Sequence, residues 1–283
     1  MDRATLVAVV AGVLQGIFEW LPISSEGNIT VFLTALGSTP AAAVQFSLFL
    51  HAGTAISAAV YYRDELRSVL AGLSSWRPRE AFADGHATLT FLAVATLASG
   101  VVGIAAYATL ETAVSALTGG AFVAVVGVLL VATGVLLRVA GDGERDSRRP
   151  PSDGTGFGTR DDPDLLDAVL VGSLQGLAIL PGVSRSGTTT SALLFRGHDG
   201  PSSFRLSFLL SIPAALGAGV LTLADGGVPG VAPAAGAVAL ATAAVVGYLT
   251  IDALMRVVER VPFWGICVGL GALAMLGGAA LAV

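Results

Sequence analysis

Apolar residues run along this chain in blocks too long and too uniform for the surface helices of a soluble domain, and short polar or proline-containing breaks separate them. Residues 4–21 are apolar and break at Leu21-Pro22; 29–37 are apolar again but short. A bilayer core takes roughly 20 apolar residues of helix, so 4–37 reads as a re-entrant helix–break–helix. Spans are predicted at 41–62, 88–109 and 114–138. A charged segment, 63–87, follows the first of them and opens as YYRDELRSVLAGL around its start, the pattern of an interfacial amphipathic helix. Residues 141–162, GDGERDSRRPPSDGTGFGTRDD, have the composition of a linker. The pattern then restarts: 164–180 are apolar and break at Pro181-Gly182, a short arm follows at 187–196, and spans are predicted at 203–223, 231–252 and 262–282.

The expected fold is therefore an all-α integral membrane protein with six transmembrane helices and two re-entrant hairpins. Residues 1–140 form one repeat, 141–162 the linker and 163–283 the second repeat. Each repeat crosses three times, an odd number, so the second must sit upside-down relative to the first, in an inverted-topology repeat. The arginines agree with this layout. Loops 63–87, 138–164, 196–205 and 256–260 fall on one side and hold 13 of the 15 basic residues, against Arg3 alone on the other, with Arg185 in the second hairpin. That bias makes the arginine side cytoplasmic, with both termini outside and the two broken tips meeting near the midplane of the cell membrane.

Composition narrows the class further. With 54% hydrophobic residues, 12% charged and a mean hydropathy of +0.80, the 283-residue chain has about half the charge of a soluble domain. The first segment lacks a cleavage-site pattern and is interrupted by Glu19, so it is not read as a removable signal peptide. One cysteine, Cys267, excludes an internal disulfide or a cysteine metal cluster, and the three histidines share no metal-ligand spacing. Every basic residue is arginine and the pI is about 5.1, which points to a GC-rich genome and a salt-loving host. A net charge of -5 argues against nucleic acid as partner.

The chemistry-bearing residues collect at the two breaks. Gln15–Asn28 reads QGIFEWLPISSEGN, and Gln175–Thr188 reads QGLAILPGVSRSGT, 160 positions later. Without a gap, Gln15 falls on Gln175, Gly16 on Gly176, Ser24 on Ser184, Ser25 on Arg185 and Gly27 on Gly187. Gln15 and Glu19, four apart, share a helix face, and a carboxylate at membrane depth needs a partner or a metal. Ser24-Ser25-Glu26-Gly27 and Ser184-Arg185-Ser186-Gly187 each have the composition of a helix start, where N–H groups and the dipole favour an anion. The serines also suit simple capping. Arg185 suits two-pronged binding of phosphate oxygens and, equally, an ion pair with Glu19 or Glu26. Trp20, Trp264, Tyr61 and Tyr62 read as interface markers, His51 as a helix-packing hydrogen bond, and Asp252 as reaching the interface or Arg256.

QGIFEWLPISSEGN resembles the first signature of the bacterial undecaprenyl-pyrophosphate phosphatases, in which Glu/Gln-x-x-x-Glu is followed by Leu-Pro-x-Ser-Ser-x-Gly-His; PGVSRSGTT resembles their second, Pro-Gly-x-Ser-Arg-Ser-Gly. The resemblance covers nearly the whole chain. It implies hydrolysis of a polyprenyl diphosphate to the monophosphate plus phosphate, with Mg²⁺ or Ca²⁺ as divalent cation. It puts Gln15 and Glu19 at the metal and makes Ser25 the nucleophile or catalytic hydroxyl, beside Glu19 and Arg185 as catalytic groups; Glu26, which the family pattern does not have, joins them as a candidate base. Ser24, Gly27, Asn28, Ser184, Arg185, Ser186 and Gly187 then bind the diphosphate. Two positions depart from the pattern: Asn28 stands for the family's histidine, and Glu26 for a small residue. Asparagine cannot titrate, so proton transfer passes to Glu19, Glu26 or water at the cation. The expected partners are the lipid substrate and the membrane, and a homodimer is left open. The alternative is a lipid-phosphate flippase or anion transporter, since inverted repeats with broken helices also build transporters.

Overall fold

The computed structural model describes residues 3–83, 85–115, 117, 119–147, 160, 162–228, 230–258 and 260–282. The described residues form helices α1 (Arg3–Phe18), α2 (Ser25–Ala35), α3 (Pro40–Tyr61), α4 (Arg63–Ala71), α5 (Ala87–Ser115), α6 (Gly119–Ser147), α7 (Leu165–Leu177), α8 (Arg185–Phe195), α9 (Gly200–Ala224), α10 (Pro233–Val258) and α11 (Phe263–Ala282). Six of them, α3, α5, α6, α9, α10 and α11, are long and apolar enough to cross a membrane, and the chain is a multi-pass membrane protein. Several boundaries differ from the expected ones, the end of α10 at Val258 rather than 252 among them. The helix predicted to end at 109 runs to Ser115, and the one predicted from 114 starts at Gly119 and continues into the charged residues up to Ser147. Hydropathy marks where lipid ends, whereas backbone hydrogen bonding can continue into water, in α6 even through Gly141 and Gly143. The rest of the expected linker, 148–159 and 161, lies outside the described residues.

Small residues set the packing. Gly12 and Gly16 of α1 lie against α10 so closely that a Cβ at Gly12 would sit 2.4 Å from the Ala239 carbonyl oxygen, and one at Gly16 2.8 Å from Gly247 N. In the second half Gly172 and Gly176 of α7 do the same against α5, at 2.4 Å from the Ala95 oxygen and 2.8 Å from Gly103 N. Such small-xxx-small faces let helix backbones touch where no water drives association. In both pairs residue numbers rise together, so α1 runs parallel to α10 and α7 parallel to α5. The pair α6–α11 is antiparallel, with Gly127 against Gly271, Gly134 against Trp264 and Gly278 against Gly120. Each half's hairpin thus packs on the other half's second long helix, and the two third helices cross head-to-tail.

The helices of the hairpins α1–α2 and α7–α8 have 16, 11, 13 and 11 residues, each shorter than the roughly 20 that a bilayer crossing takes, and the breaks of the two hairpins meet. Ser24 Oγ accepts from Gly182 N at 3.1 Å and Ser186 Oγ donates to the Leu21 carbonyl at 3.4 Å. A Cβ on Gly27 would lie 2.7 Å from Gly182 N, so the two turns are in backbone contact and glycine is required there. Helix α4 buries none of its residues, consistent with its amphipathic sequence. One expectation is corrected: Trp20 is only 1% exposed, its indole N–H donating to the Gly247 carbonyl at 3.1 Å and its ring tilted on Phe208. A buried tryptophan needs an acceptor for its N–H, and the close approach of α1 to α10 supplies one.

Candidate functional site

The site forms where α2 and α8 begin. Ser24 is the N-cap of α2 and Ser184 that of α8, each side chain accepting from the N–H three residues on, Gly27 or Gly187, at 3.1 Å. Ser25 and Arg185, the aligned pair, are therefore the first residues of two helices whose positive ends converge on one spot. Ser24 holds φ +59°, the one left-handed non-glycine conformation among the described residues, which costs about 1–2 kcal/mol. Its hydroxyl serves both tips at once, which compensates for that strain.

Glu19 is the centre. Its Oε1 pairs with Arg185 Nη2 at 2.5 Å; its Oε2 accepts from Ser25 Oγ at 2.8 Å and from Gln15 Nε2 at 2.9 Å. His51 Nε2 lies 3.4 Å from the same Oε2, and its Nδ1 sits 2.8 Å from the Ser47 carbonyl, which fixes the ring. Of the two ion-pair partners the sequence allows for Arg185, the structure uses Glu19. Arg185 also donates to the Ser207 carbonyl at 3.3 Å and lies over the Phe208 ring. Glu19 is buried and Arg185 largely so, with side-chain exposures of 5% and 15%, so removing either partner strands the other.

The sequence-predicted residues take different places. Glu19, Ser24, Ser25, Glu26, Ser184, Arg185 and Ser186 line a polar cavity of about 20 Å³, room for one water-sized guest. Gln15 stands behind Glu19, its amide spent on Glu19 and on Thr54 Oγ1 at 3.3 Å. Asn28 turns away, its Nδ2 donating to the Ile23 and Ser24 carbonyls at 2.7 and 3.0 Å, so it braces the strained turn. Gly27 and Gly187 lie under the caps, where they admit close contact rather than a ligand. Glu26 is 4% exposed and its Oε1 is buried without a hydrogen-bond partner; Gln15 Oε1 is in the same condition. An orphaned buried carboxylate beside a second one fits a cation.

Two participants escape a reading of the motifs alone. His51 lines the cavity, and its signal was the polar stripe Ser47, His51, Thr54 on an otherwise apolar helix, spaced four and three apart. Thr133 of α6 ties the second tip, donating to the Gly182 carbonyl at 3.1 Å and accepting from Ser184 N at 3.3 Å. Asp252, expected at the interface or on Arg256, accepts from Tyr61 Oη at 2.5 Å.

The polar cavity joins an apolar one of about 410 Å³, with Glu26, His51, Ala178 and Arg185 shared between them. The larger cavity is walled by α5, α7 and α9, and Ile104 and Val220 at its edge are 64% and 66% exposed on the face that lipid would cover. A charged head site continuous with an oily chamber suits an amphiphile.

The bacitracin resistance protein BacA family matches residues 8–273. The chain belongs to that family. An undecaprenyl-diphosphatase of Haloarcula marismortui is 53% identical over 279 residues, covering 98% of both chains. Those of Methanopyrus kandleri and Methanococcoides burtonii are 38% and 35% identical, each alignment covering 95% of this chain and 94% and 96% of theirs. The BacA family assignment thus rests on the full length and includes both hairpin tips.

Proposed function

We propose that this protein is an undecaprenyl-diphosphatase, an integral membrane enzyme that converts a polyprenyl diphosphate to the monophosphate and phosphate. The observation that carries this reading is the junction of the two cavities. A polar site at two helix N-termini, with an arginine and a serine, adjoins an apolar chamber at the lipid-facing side, Glu26, His51, Ala178 and Arg185 lining both. The relatives named undecaprenyl-diphosphatase support it over the whole chain.

In the reaction the prenyl tail lies in the apolar chamber and the terminal phosphate enters between Ser25 and Arg185. Arg185 turns its fork from Glu19 to the phosphoryl oxygens, which offer the same planar acceptor geometry. Ser25 Oγ already donates to Glu19 Oε2, so Glu19 is the base placed to take that proton as Oγ attacks the terminal phosphorus. The bond from phosphorus to the bridging oxygen breaks, and the lipid monophosphate leaves as an anion that needs no added proton. Glu19 then releases that proton to solvent; water attacks the phosphoseryl group, Glu19 takes one of its protons and passes it to Ser25 Oγ as the phosphorus–Oγ bond breaks, and phosphate departs with Ser25 and Glu19 both restored. Gln15 and His51, both on Glu19 Oε2, hold that oxygen toward Ser25. A divalent cation held at Glu19 would neutralise phosphoryl charge.

In the membrane, the hairpins α1–α2 and α7–α8 are re-entrant and the two halves are inverted repeats. The exchanged parallel pairs and the antiparallel α6–α11 pair support this, since an in-plane two-fold axis relates helices in that way. The test of function is phosphate release from a polyprenyl diphosphate by the purified protein in detergent, with Mg²⁺ and with Ca²⁺. Release by wild type and its loss in Ser25→Ala is the expected result. A wild type silent with every polyprenyl diphosphate and both cations would replace the enzyme reading with transport.

A further inference from the structure

Glu26 is the one site carboxylate that the reaction above does not use. It is 4% exposed, lines both cavities and has a buried Oε1 with no hydrogen-bond partner. Glu19 lines the same small cavity. A carboxylate in such surroundings is stable when paired, metal-bound or neutral, and Arg185, which lines the same cavity, is held on Glu19 Oε1. We infer that Glu26 and Glu19 together form a divalent-cation site in the polar cavity, and that the cation displaces Arg185 from Glu19 and so frees it for phosphate.

Three observations converge on this. The cavity of about 20 Å³ admits a water-sized guest, which suits a cation but is too small for a phosphoryl group. The donors are mostly oxygen, as Mg²⁺ and Ca²⁺ prefer: two carboxylates and the Ser24, Ser25 and Ser186 hydroxyls, with the His51 ring set against Glu19 Oε2 and water free to complete the shell. The Glu19–Arg185 pair occupies the position where substrate must enter, so something has to relieve it before the arginine can serve an anion. A cation taking over Oε1 does this while leaving Oε2 on Ser25. Gln15 contributes by orienting Glu19 from behind rather than by lining the cavity. By linkage, cation and anion must then strengthen each other's binding by the same factor. Only this last step rests on the phosphatase reading; the cation site stands without it.

The experiment titrates Ca²⁺ and Mg²⁺ by calorimetry into the full chain in detergent, without substrate. Wild type should bind one ion per chain. Glu26→Gln, which keeps shape and removes charge, should weaken that binding about tenfold or more, because affinity follows the count of charged ligands. Arg185→Gln should tighten it, since the competitor for Glu19 is gone. A second arm titrates inorganic pyrophosphate with and without cation: the cation should tighten pyrophosphate binding by about 5–150-fold in wild type and not in Glu26→Gln. Equal cation affinity in wild type and Glu26→Gln, or none in either, overturns the site. Weaker cation binding in Arg185→Gln overturns the exchange, and that variant decides the matter even if Glu26→Gln does not fold. A protein that binds the cation as described but releases no phosphate fails the phosphatase reading and keeps this one.

Discussion

The chemistry at the residue scale turns on Arg185, which pairs with Glu19 in the structure and, in the proposed reaction, with a phosphate. Both partners accept a two-pronged fork, so Arg185→Lys should lose most activity although it keeps the charge. The expected loss is nearly that of Arg185→Ala, on the order of 2–5 kcal/mol in kcat/KM, read from phosphate release. Full activity in the lysine variant would reduce Arg185 to a structural charge. Asn28 works by a different route, bracing the turn in which Ser24 is left-handed. Asn28→Ala, which unmakes two bonds to buried carbonyls, should lower stability by about 1–3 kcal/mol in thermal melts, while Asn28→His should leave the fold intact. These residues show what the sequence made legible. The two stretches, Gln15–Asn28 and Gln175–Thr188, contain every residue that lines the polar cavity except His51. They could not say that Glu19 takes the arginine, because pairing partners 166 positions apart follow from how the tips dock. Nor could they separate Asn28 and Gly27, which support the turn, from Ser25 and Glu26, which face the cavity, since all four share one short stretch.

At the scale of elements, glycine placement governs how closely the hairpins approach their partner helices. Gly12→Ala and Gly172→Ala would each drive a methyl into a carbonyl oxygen of the facing helix and should destabilise by about 1–3 kcal/mol. Gly265→Ala and Gly277→Ala, on the same type of helix with open space around them, should be neutral or mildly stabilising in the same thermal melts. The mouth of α7 carries a second, electrostatic anchor. Asp164 caps the helix in a reciprocal capping box with Asp167, and the pair receives Arg160, Arg196 and His198. Burial pushes the Asp167 carboxyl up, but hydrogen bonds from His198, the Asp164 backbone N–H and Arg196 more than reverse it, leaving it well below its ordinary range. Asp164 is lowered as well: burial raises it, and the Asp167 backbone N–H and Arg160 outweigh that. A depressed carboxylate gives stability that is complete above its unfolded pKa, about 3.9, and is lost as pH falls toward the folded value. Melting temperature should therefore hold from neutral pH to about 5 and fall below about 4, and Asp167→Asn should shrink that acid loss. A melting curve for Asp167→Asn with the wild-type acid slope would assign the loss to other groups. Hydropathy alone located the long helices, yet this anchor was invisible to it, because the charges come from the linker edge, α7 and the α8–α9 turn.

For the whole molecule, the arginine distribution and the helix directions are independent and give one layout. The parallel pairs put the C-terminal ends of α3 and α10 on the same face, and Arg63, Arg67 and Arg256 lie there. Helix α7 runs with α5, so its mouth, with Arg160 and Arg196 beside it, opens on that face too, while α1 begins on the opposite one. An excess of arginine in short loops marks the cytoplasmic side. Both termini and the α9–α10 turn should then be extracytoplasmic. Single cysteines test this against an impermeant thiol reagent, with native Cys267 buried and out of its reach. Asp225→Cys, in an exposed turn, should label in intact cells, whereas Ser74→Cys, beyond α4, should label only after lysis. Ser152→Cys, in the expected linker, should behave like Ser74→Cys. Labelling of Ser74→Cys in intact cells would invert the molecule. The site would then face the opposite leaflet, because the apolar chamber extends from the tips toward the C-terminal end of α9, where Ala224 lies. In the layout argued here that end is external, so the apolar chamber should open toward the outer leaflet.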